Sequence, residues 1–241
     1  MELKGKVAIV TGGGTGIGRA VALELARAGC RVCIAGRREE VLRQTASEAS
    51  PPLAWQACDV ADCSQAEALV EKVCAELGAP AILVNSAGVN TARRALADMD
   101  PEDFERLMRI NAAGSFYCIR AVVPHMKEMG GGLIVNIVSI AGKRALPMAG
   151  LAYCASKFAQ SALGTFVNLE TNPHGIRVTN IYPGEVDTPI LDRRPQPPPP
   201  ERRAQMLRPE DIAACALAVA RLPERAVVPE LVIVPRYQSW S

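Results

Sequence analysis

The chain has 241 residues, 49% of them hydrophobic and 22% charged, with a formal net charge of +2. This composition excludes a disordered chain, which cannot bury enough apolar surface to offset its ordering entropy, and the length suits one large α/β domain. The small charge and an aromatic content of 4% supply neither the field nor the stacking platform that nucleic acid or an anionic membrane would need.

Short β-branched runs alternate with stretches of helical period nearly end to end. Strands are expected at 7–10, 32–35, 54–57, 82–84, 133–138, 177–181 and 231–234, and helices near 16–28, 38–48, 64–77, 101–129, 150–171 and 209–221. Such alternation predicts parallel strands joined by right-handed crossovers: a doubly wound α/β sheet of about seven strands with helices on both faces. Nothing resembles an interdomain linker. The one break in composition is the proline run 195–200, flanked by Arg193, Arg194, Arg202 and Arg203; it is expected as a solvated loop, with a substrate-contacting lid as the alternative.

Eight cysteines are many, but the Cys30-x-x-Cys33 pair falls at a strand entrance, where residues three apart point to opposite faces. With only His125 and His174 as imidazoles, no metal site is expected, and the thiols read as buried packing in a reducing cytoplasm. The apolar runs are too short for a signal core or a membrane span.

Directly after the first strand comes Thr11-Gly12-Gly13-Gly14-Thr15-Gly16-Ile17-Gly18. Glycines let backbone approach a pyrophosphate, and the free N–H groups of the following helix point at it. The loop leaves the carboxyl end of strand one, where open α/β sheets bind dinucleotides. At the end of strand two stand Arg37 and Arg38 rather than an acid. Two guanidiniums there suit a ribose 2′-phosphate and favour NADP(H) over NAD(H); local pairing with Glu39 and Glu40 is the alternative.

Tyr153 and Lys157 share one helix face about 6 Å apart along the axis. A neighbouring ammonium favours phenolate, so the pair makes a sensible proton donor and acceptor for a carbonyl/alcohol couple. Ser139 ends the apolar strand at the ligand-bearing edge, and Asn111 lies inside a long apolar helix, where a buried amide needs a partner.

In order and spacing these residues resemble the short-chain dehydrogenase/reductase superfamily, in its single-domain branch. The match includes the 11–18 loop, Cys58-Asp59-Val60, Asn85-Ser86-Ala87-Gly88, Asn111, Ser139, Tyr153-x-x-x-Lys157 and Pro183-Gly184-Glu185-Val186-Asp187-Thr188. The resemblance implies one Rossmann-like NAD(P)-binding domain over 1–241, with a short substrate loop about 189–208, and a small carbonyl or alcohol substrate. It further implies Tyr153 as general acid/base and Ser139 as the residue orienting the substrate carbonyl. Lys157 would hold the nicotinamide ribose and lower the tyrosine pKa, and Asn111 would anchor a proton-relaying water. Asp59 and Val60 would meet the adenine, Asn85, Ala87 and Gly88 the middle of the cofactor, and Pro183, Gly184, Val186 and Thr188 the nicotinamide amide.

The chain departs from the family pattern at Ser86, where asparagine is commoner, and after Val228, where the Gly-rich strand of acyl-carrier-protein ketoreductases is missing. That ending is more similar to reductases of small hydroxy acids or assorted carbonyls. A non-catalytic dinucleotide-binding regulator or scaffold, the alternative class, would be expected to lack Tyr153, Lys157 or Ser139, and all three are present. The resemblance also implies a homotetramer or homodimer built on helices 101–129 and 150–171, with the aromatic tail 237–240 as a further contact.

Overall fold

The computed structural model describes residues 2–238; Ser239 and Trp240, part of the tail named above, lie outside them. In chain order the elements are β1 (Val7–Thr11), α1 (Gly16–Arg27), β2 (Arg31–Gly36), α2 (Glu39–Ser47), β3 (Ala54–Ala57), α3 (Cys63–Leu77), β4 (Pro80–Asn85) and α4 (Pro101–Met108). They continue with α5 (Gly114–Glu128), β5 (Gly132–Ile137), α6 (Leu151–Thr171), β6 (Ile176–Pro183), α7 (Pro200–Arg203), α8 (Pro209–Arg221) and β7 (Glu230–Ile233). The strands form one parallel sheet in the order β3-β2-β1-β4-β5-β6-β7. The chain winds outward from β1 to β3, then restarts at β4 on the other side. The carboxyl ends of β1 and β4 therefore diverge into a crevice, the place where such sheets take ligands.

Strands buried on both faces need uninterrupted apolar runs, and β1 (VAIVT), β4 (PAILVN) and β5 (GLIVNI) have them. One side of the sheet packs Val21 and Leu25 of α1, Leu42 of α2 and Ile212 and Ala216 of α8. The other packs Leu69 and Val73 of α3, Leu107 of α4, and Ile119, Val122 and Met126 of α5. Cys30 belongs to the first core and Cys33 to the second, so the C-x-x-C pair is split across the sheet as strand geometry requires. Burial pushes the Cys30 thiol up to about 11 and the Cys33 thiol up to about 12, which makes both inert.

Helix starts follow their sequence signals. The Asp62 carboxylate caps α3 by accepting from Ser64 N, and Asp100 caps α4 by accepting from Glu102 N ahead of Pro101. The expected helix 101–129 is not a single α-helix. A π-turn at Arg109–Ala113 interrupts it between α4 and α5. Asn111 sits in that turn, where its amide is committed sideways to another segment. The last strand starts one residue earlier than expected and the fifth ends one earlier, the usual uncertainty of element ends.

Three asparagines run straight across β4, β5 and β6, in register at Asn85, Asn136 and Asn180. Asn85 Nδ2 donates to Asn136 Oδ1 (2.9 Å), Asn136 Nδ2 to Asn180 Oδ1 (2.9 Å), and Asn180 Nδ2 to Ser161 O of α6 (3.0 Å). Gly164 allows α6 to lie on this ladder, since a Cβ there would fall 2.0 Å from Asn180 Oδ1.

Candidate active site

At the head of β1 the chain turns through Gly12, whose φ of +66° is open to glycine and whose absent Cβ would lie 2.8 Å from the Ala87 backbone. Gly18 closes the loop on itself: a Cβ there would be 2.4 Å from Gly12 O. The N-cap Thr15 makes no side-chain cap bond, and the first turn of α1 carries no acid. The positive end of this twelve-residue helix is therefore left open toward the crevice, a setting for a phosphate. Thr11 ties this loop to the next, its hydroxyl accepting from Ser86 N (3.2 Å) and Ala87 N (3.3 Å).

One continuous cleft of about 440 Å³ runs from this loop to the end of β5. Gly12, Gly14, Thr15, Gly16 and Ile17 line its floor, and Arg37, Arg38, Asp59 and Val60 its outer end. Ala87, Gly88, Pro183, Gly184, Val186 and Thr188 line the middle, and Ser139, Tyr153 and Lys157 the inner end. Gly18, Asn85 and Asn111 stand behind the wall rather than in it. Arg37 and Arg38 are exposed, and Glu39 pairs instead with Arg43 across one helical turn (3.1 Å). Among the described residues neither Arg37 nor Arg38 has a carboxylate partner, so the local-pairing alternative does not hold. Asp59 Oδ1 accepts from Ala61 N (3.1 Å), which fixes the turn after β3.

Lys157 is 3% exposed, and its Nζ donates to Ile137 O (2.9 Å) and Gln160 Oε1 (2.7 Å). Burial brings its ammonium down to about 7. Nζ lies 5.8 Å from the centre of the Tyr153 ring. The Tyr153 phenol is pushed up to about 12 by burial. The Ser139 hydroxyl pulls it back by hydrogen bonding, and the Arg94 and Arg194 guanidiniums do so by charge. Lys157, held at about 7 by burial, is about half charged at neutral pH in the absence of any bound ligand. Ser139 Oγ also accepts from Ala141 N (3.1 Å) at the head of a short 3-10 turn, which orients it.

Asn111 grips the segment after β4 by both its polar groups: Oδ1 accepts from Val89 N (2.8 Å), and Nδ2 donates to Val89 O (3.0 Å) and Ser156 Oγ (2.9 Å). Asn111 Oδ1 and Lys157 Nζ flank Gly88, where a Cβ would lie 3.5 Å from one and 3.6 Å from the other.

Two residues with a place in this network were missed in the sequence. Gln160, fully buried, donates through Nε2 to Ser115 Oγ (2.8 Å), which donates to Asn111 O (3.3 Å). The available signal was a polar side chain three residues after Lys157 on an otherwise apolar face. Residues 195–199 form the mostly exposed loop expected of the proline run, but the arginine-rich segment around them is structured. It forms a 3-10 turn (Pro189–Arg193) and α7, and Glu185, 7% exposed, gathers Arg194 (2.8 Å) and Arg202 (2.9 Å). Tyr237 Oη donates to the same carboxylate (2.9 Å) and its ring stacks on Arg202 (3.8 Å). A nearly buried carboxylate attracts these cations more strongly than water solvates them.

A dinucleotide cleft on a doubly wound sheet, ending at a Ser-Tyr-Lys cluster, defines an NAD(P)-dependent oxidoreductase class. Residues 6–198 match the family model for short chain dehydrogenase, and the chain belongs to that family. It is 36% identical to a glycine betaine reductase of Emericella nidulans over 97% of this chain, which spans 19% of that larger protein. Among solved structures it is similar to an alcohol dehydrogenase from the archaeon Thermococcus sibiricus complexed with 5-hydroxy-NADP (TM-score 0.88, 28% identity, 98% of this chain and 99% of that one). It is also similar to a 3-ketoacyl-(acyl-carrier-protein) reductase from Brucella melitensis complexed with NADH (TM-score 0.88, 28% identity, 96% and 98%).

Proposed function

We propose that this protein is an NADP(H)-dependent oxidoreductase of one domain that interconverts a small carbonyl compound and the matching secondary alcohol. The supporting observation is that one cleft joins the glycine loop and the unpaired Arg37 and Arg38 to Ser139, Tyr153 and Lys157. NADPH, when bound, supplies the hydride and leaves as NADP+. The loop 12–18 receives its pyrophosphate, Arg37 and Arg38 its 2′-phosphate, and Asp59 and Val60 its adenine. Asn85 holds the sheet edge beside Ala87 and Gly88 in the middle of the cleft, and Pro183, Gly184, Val186 and Thr188 meet the nicotinamide amide.

In the reducing direction Ser139 donates to the carbonyl oxygen and holds it against Tyr153. The Tyr153 hydroxyl gives that oxygen its proton as the hydride arrives on carbon, and in the reverse direction the phenolate takes the proton back. A phenol of high pKa is almost wholly protonated at neutral pH, so little phenolate is present to accept a proton, and oxidation needs added positive charge beside it. Arg94, Arg194, a charged Lys157 and the cationic nicotinamide all act in that sense. Lys157 holds the nicotinamide ribose, and Asn111 anchors the proton-relaying water beside it. The acyl-carrier-protein ketoreductase reading is a narrower version of the same chemistry.

The exposed Phe116 on α5 and Phe158, Phe166 and Leu169 on α6 support a homodimer or homotetramer through these helices. The buried thiols suit a reducing cytoplasm. NADPH consumption over a panel of ketones, keto acids and sugar-derived carbonyls tests the reading. Turnover that vanishes in Tyr153→Phe while NADPH still binds supports it, and undiminished turnover in that variant removes it.

A further inference from the structure

The inner end of the cleft holds more positive charge than carbonyl reduction requires. Arg94, from the loop after β4, and Arg194, from the turn after β6, both line the cavity that contains Tyr153. They lie a hundred residues apart in the chain, yet each is close enough to the Tyr153 hydroxyl to favour its anion. They are also close enough to each other for Arg194 to weaken the hold of Arg94 on its proton.

Arg94 is built in. Its Nε donates to Thr91 O (3.2 Å) and its Nη1 to Met148 O, two carbonyls that fix the plane of the guanidinium. Its own carbonyl accepts from Leu151 N (3.0 Å), the first residue of the helix that carries Tyr153. Gly150, at φ +94°, makes room for it, since a Cβ there would lie 2.9 Å from Arg94 Cβ. The site thus measures its position from the same helix start as the tyrosine. A guanidinium has five N–H donors, and two carbonyl bonds leave the remainder uncommitted. Among the described residues Arg94 has no carboxylate partner.

Arg194 is half-committed, with one nitrogen on Glu185 Oε1 (2.8 Å). Glu185 is shared with Arg202 and Tyr237, so Arg194 has only a share of one carboxylate. Two partly buried cations on the wall of one cavity, beside Leu146, Met148 and Ile190, repel each other, and a bound anion removes that cost.

We propose that the substrate carries an oxyanion, a carboxylate or phosphoryl group, clamped between Arg94 and Arg194 while its carbonyl meets Ser139 and Tyr153. This rests on the oxidoreductase reading above and narrows it: the substrates are short keto acids or keto phosphates and their hydroxy counterparts. Arg94 and Arg194 are specificity-determining residues, and Glu185 positions Arg194.

The test uses the full-length protein with NADPH. Short keto acids, keto phosphates and their neutral counterparts of equal length (methyl esters and methyl ketones) are compared by kcat/KM. The anionic members are expected to exceed the neutral ones at least tenfold, and the larger of the acid and phosphate rates identifies the oxyanion. In Arg94→Gln and Arg194→Gln that preference is expected to fall tenfold or more and to return partly in Arg94→Lys. Arg93→Gln, outside the cavity and paired with Asp100 and Asp103, is expected to keep it. Neutral substrates matching the anions, or a preference that survives both glutamine variants, would overturn the proposal and leave the oxidoreductase reading intact. Binding separates the two further. Quenching of NADPH fluorescence by a keto acid in the wild type, weakened in Arg94→Gln, supports the clamp even without turnover. Absence of quenching and of anion-selective turnover together overturns it.

Discussion

The two ends of the cleft are made of different material. At the glycine loop the lining is largely backbone: Gly12, Gly14 and Gly16 bring main chain to the surface, the side chain of the residue before α1 makes no cap bond, and the cations there, Arg37 and Arg38, are exposed. At Tyr153 the lining is side chains, and behind them Lys157, Gln160, Ser115 and Asn111 form one buried chain of hydrogen bonds. The same charge therefore has different leverage at the two ends. Exposed guanidiniums act in water, where interactions are screened, whereas buried groups act where each pairing is strong and each loss is uncompensated.

The sharpest way to break this contrast is Tyr153→Phe, which removes one hydroxyl from the buried end. Turnover is expected to fall by about 10²–10⁴, with NADPH affinity retained because the phosphate end is untouched. Stopped-flow NADPH oxidation beside equilibrium fluorescence reads both.

Lys157 tests burial through pH. Its ammonium sits at about 7 in the native protein against about 10.4 in an unfolded chain. Between those values the unfolded state binds more protons, so the stability contributed by this group is complete above about 10.4 and is lost as pH falls toward 7. Urea unfolding of the nucleotide-free wild type and of Lys157→Met is expected to diverge by about 2 kcal/mol in favour of the wild type from pH 7.5 to 9.5. Taking the difference cancels the thiols common to both proteins. A flat difference would mean that the ammonium is solvated.

Next in size is Gln160→Leu, which strands Ser115 Oγ and one proton of Lys157. A loss of about 1–2 kcal/mol in urea unfolding is expected. With the acceptor gone, the charged form of Lys157 is less favoured, so its titration moves to lower pH. A loss of stability without that movement in the kcat/KM pH profile would make Gln160 a packing residue only. The smallest effect belongs to the exposed end. Arg37→Asp is expected to weaken NADPH about tenfold, to spare NADH, and to lose its effect as salt rises; unchanged selectivity would sink the 2′-phosphate assignment.

The same contrast decides what was legible in the sequence. Where the backbone does the work, composition reports it: only glycines permit the turn at Gly12 and the contact between Gly18 and Gly12 O, so the loop declares itself. Parallel strands buried on both faces likewise show as unbroken apolar runs, which is why the strand positions could be anticipated to within a residue or two at each end. Tyr153 and Lys157 were visible because both ride one helix. The partners that tune them were not. Gln160 meets Ser115 across forty-five positions, and Arg94 meets Arg194 across a hundred. No periodicity encodes such encounters, which depend on how far two loops fold back over the sheet. The π-turn at Arg109–Ala113 was hidden for the same reason, since Asn111 is drawn aside by Val89, a residue twenty-two positions away.

The asparagine ladder links the halves of the chain in folding as well as in space. Asn85 closes the strand that begins the second winding, Asn136 lies on β5 after α5, and Asn180 arrives only with β6. A first half made alone would present Asn85 without its acceptor, on a strand left at a bare sheet edge. Sliding any one strand by a single residue would turn its asparagine to the opposite face and leave two amides unpaired. The ladder therefore ties the register of β4 to that of β5 and β6, the strands whose carboxyl ends lead into the cleft. Fragments ending before Ile176 are expected to collapse without acquiring a nucleotide site.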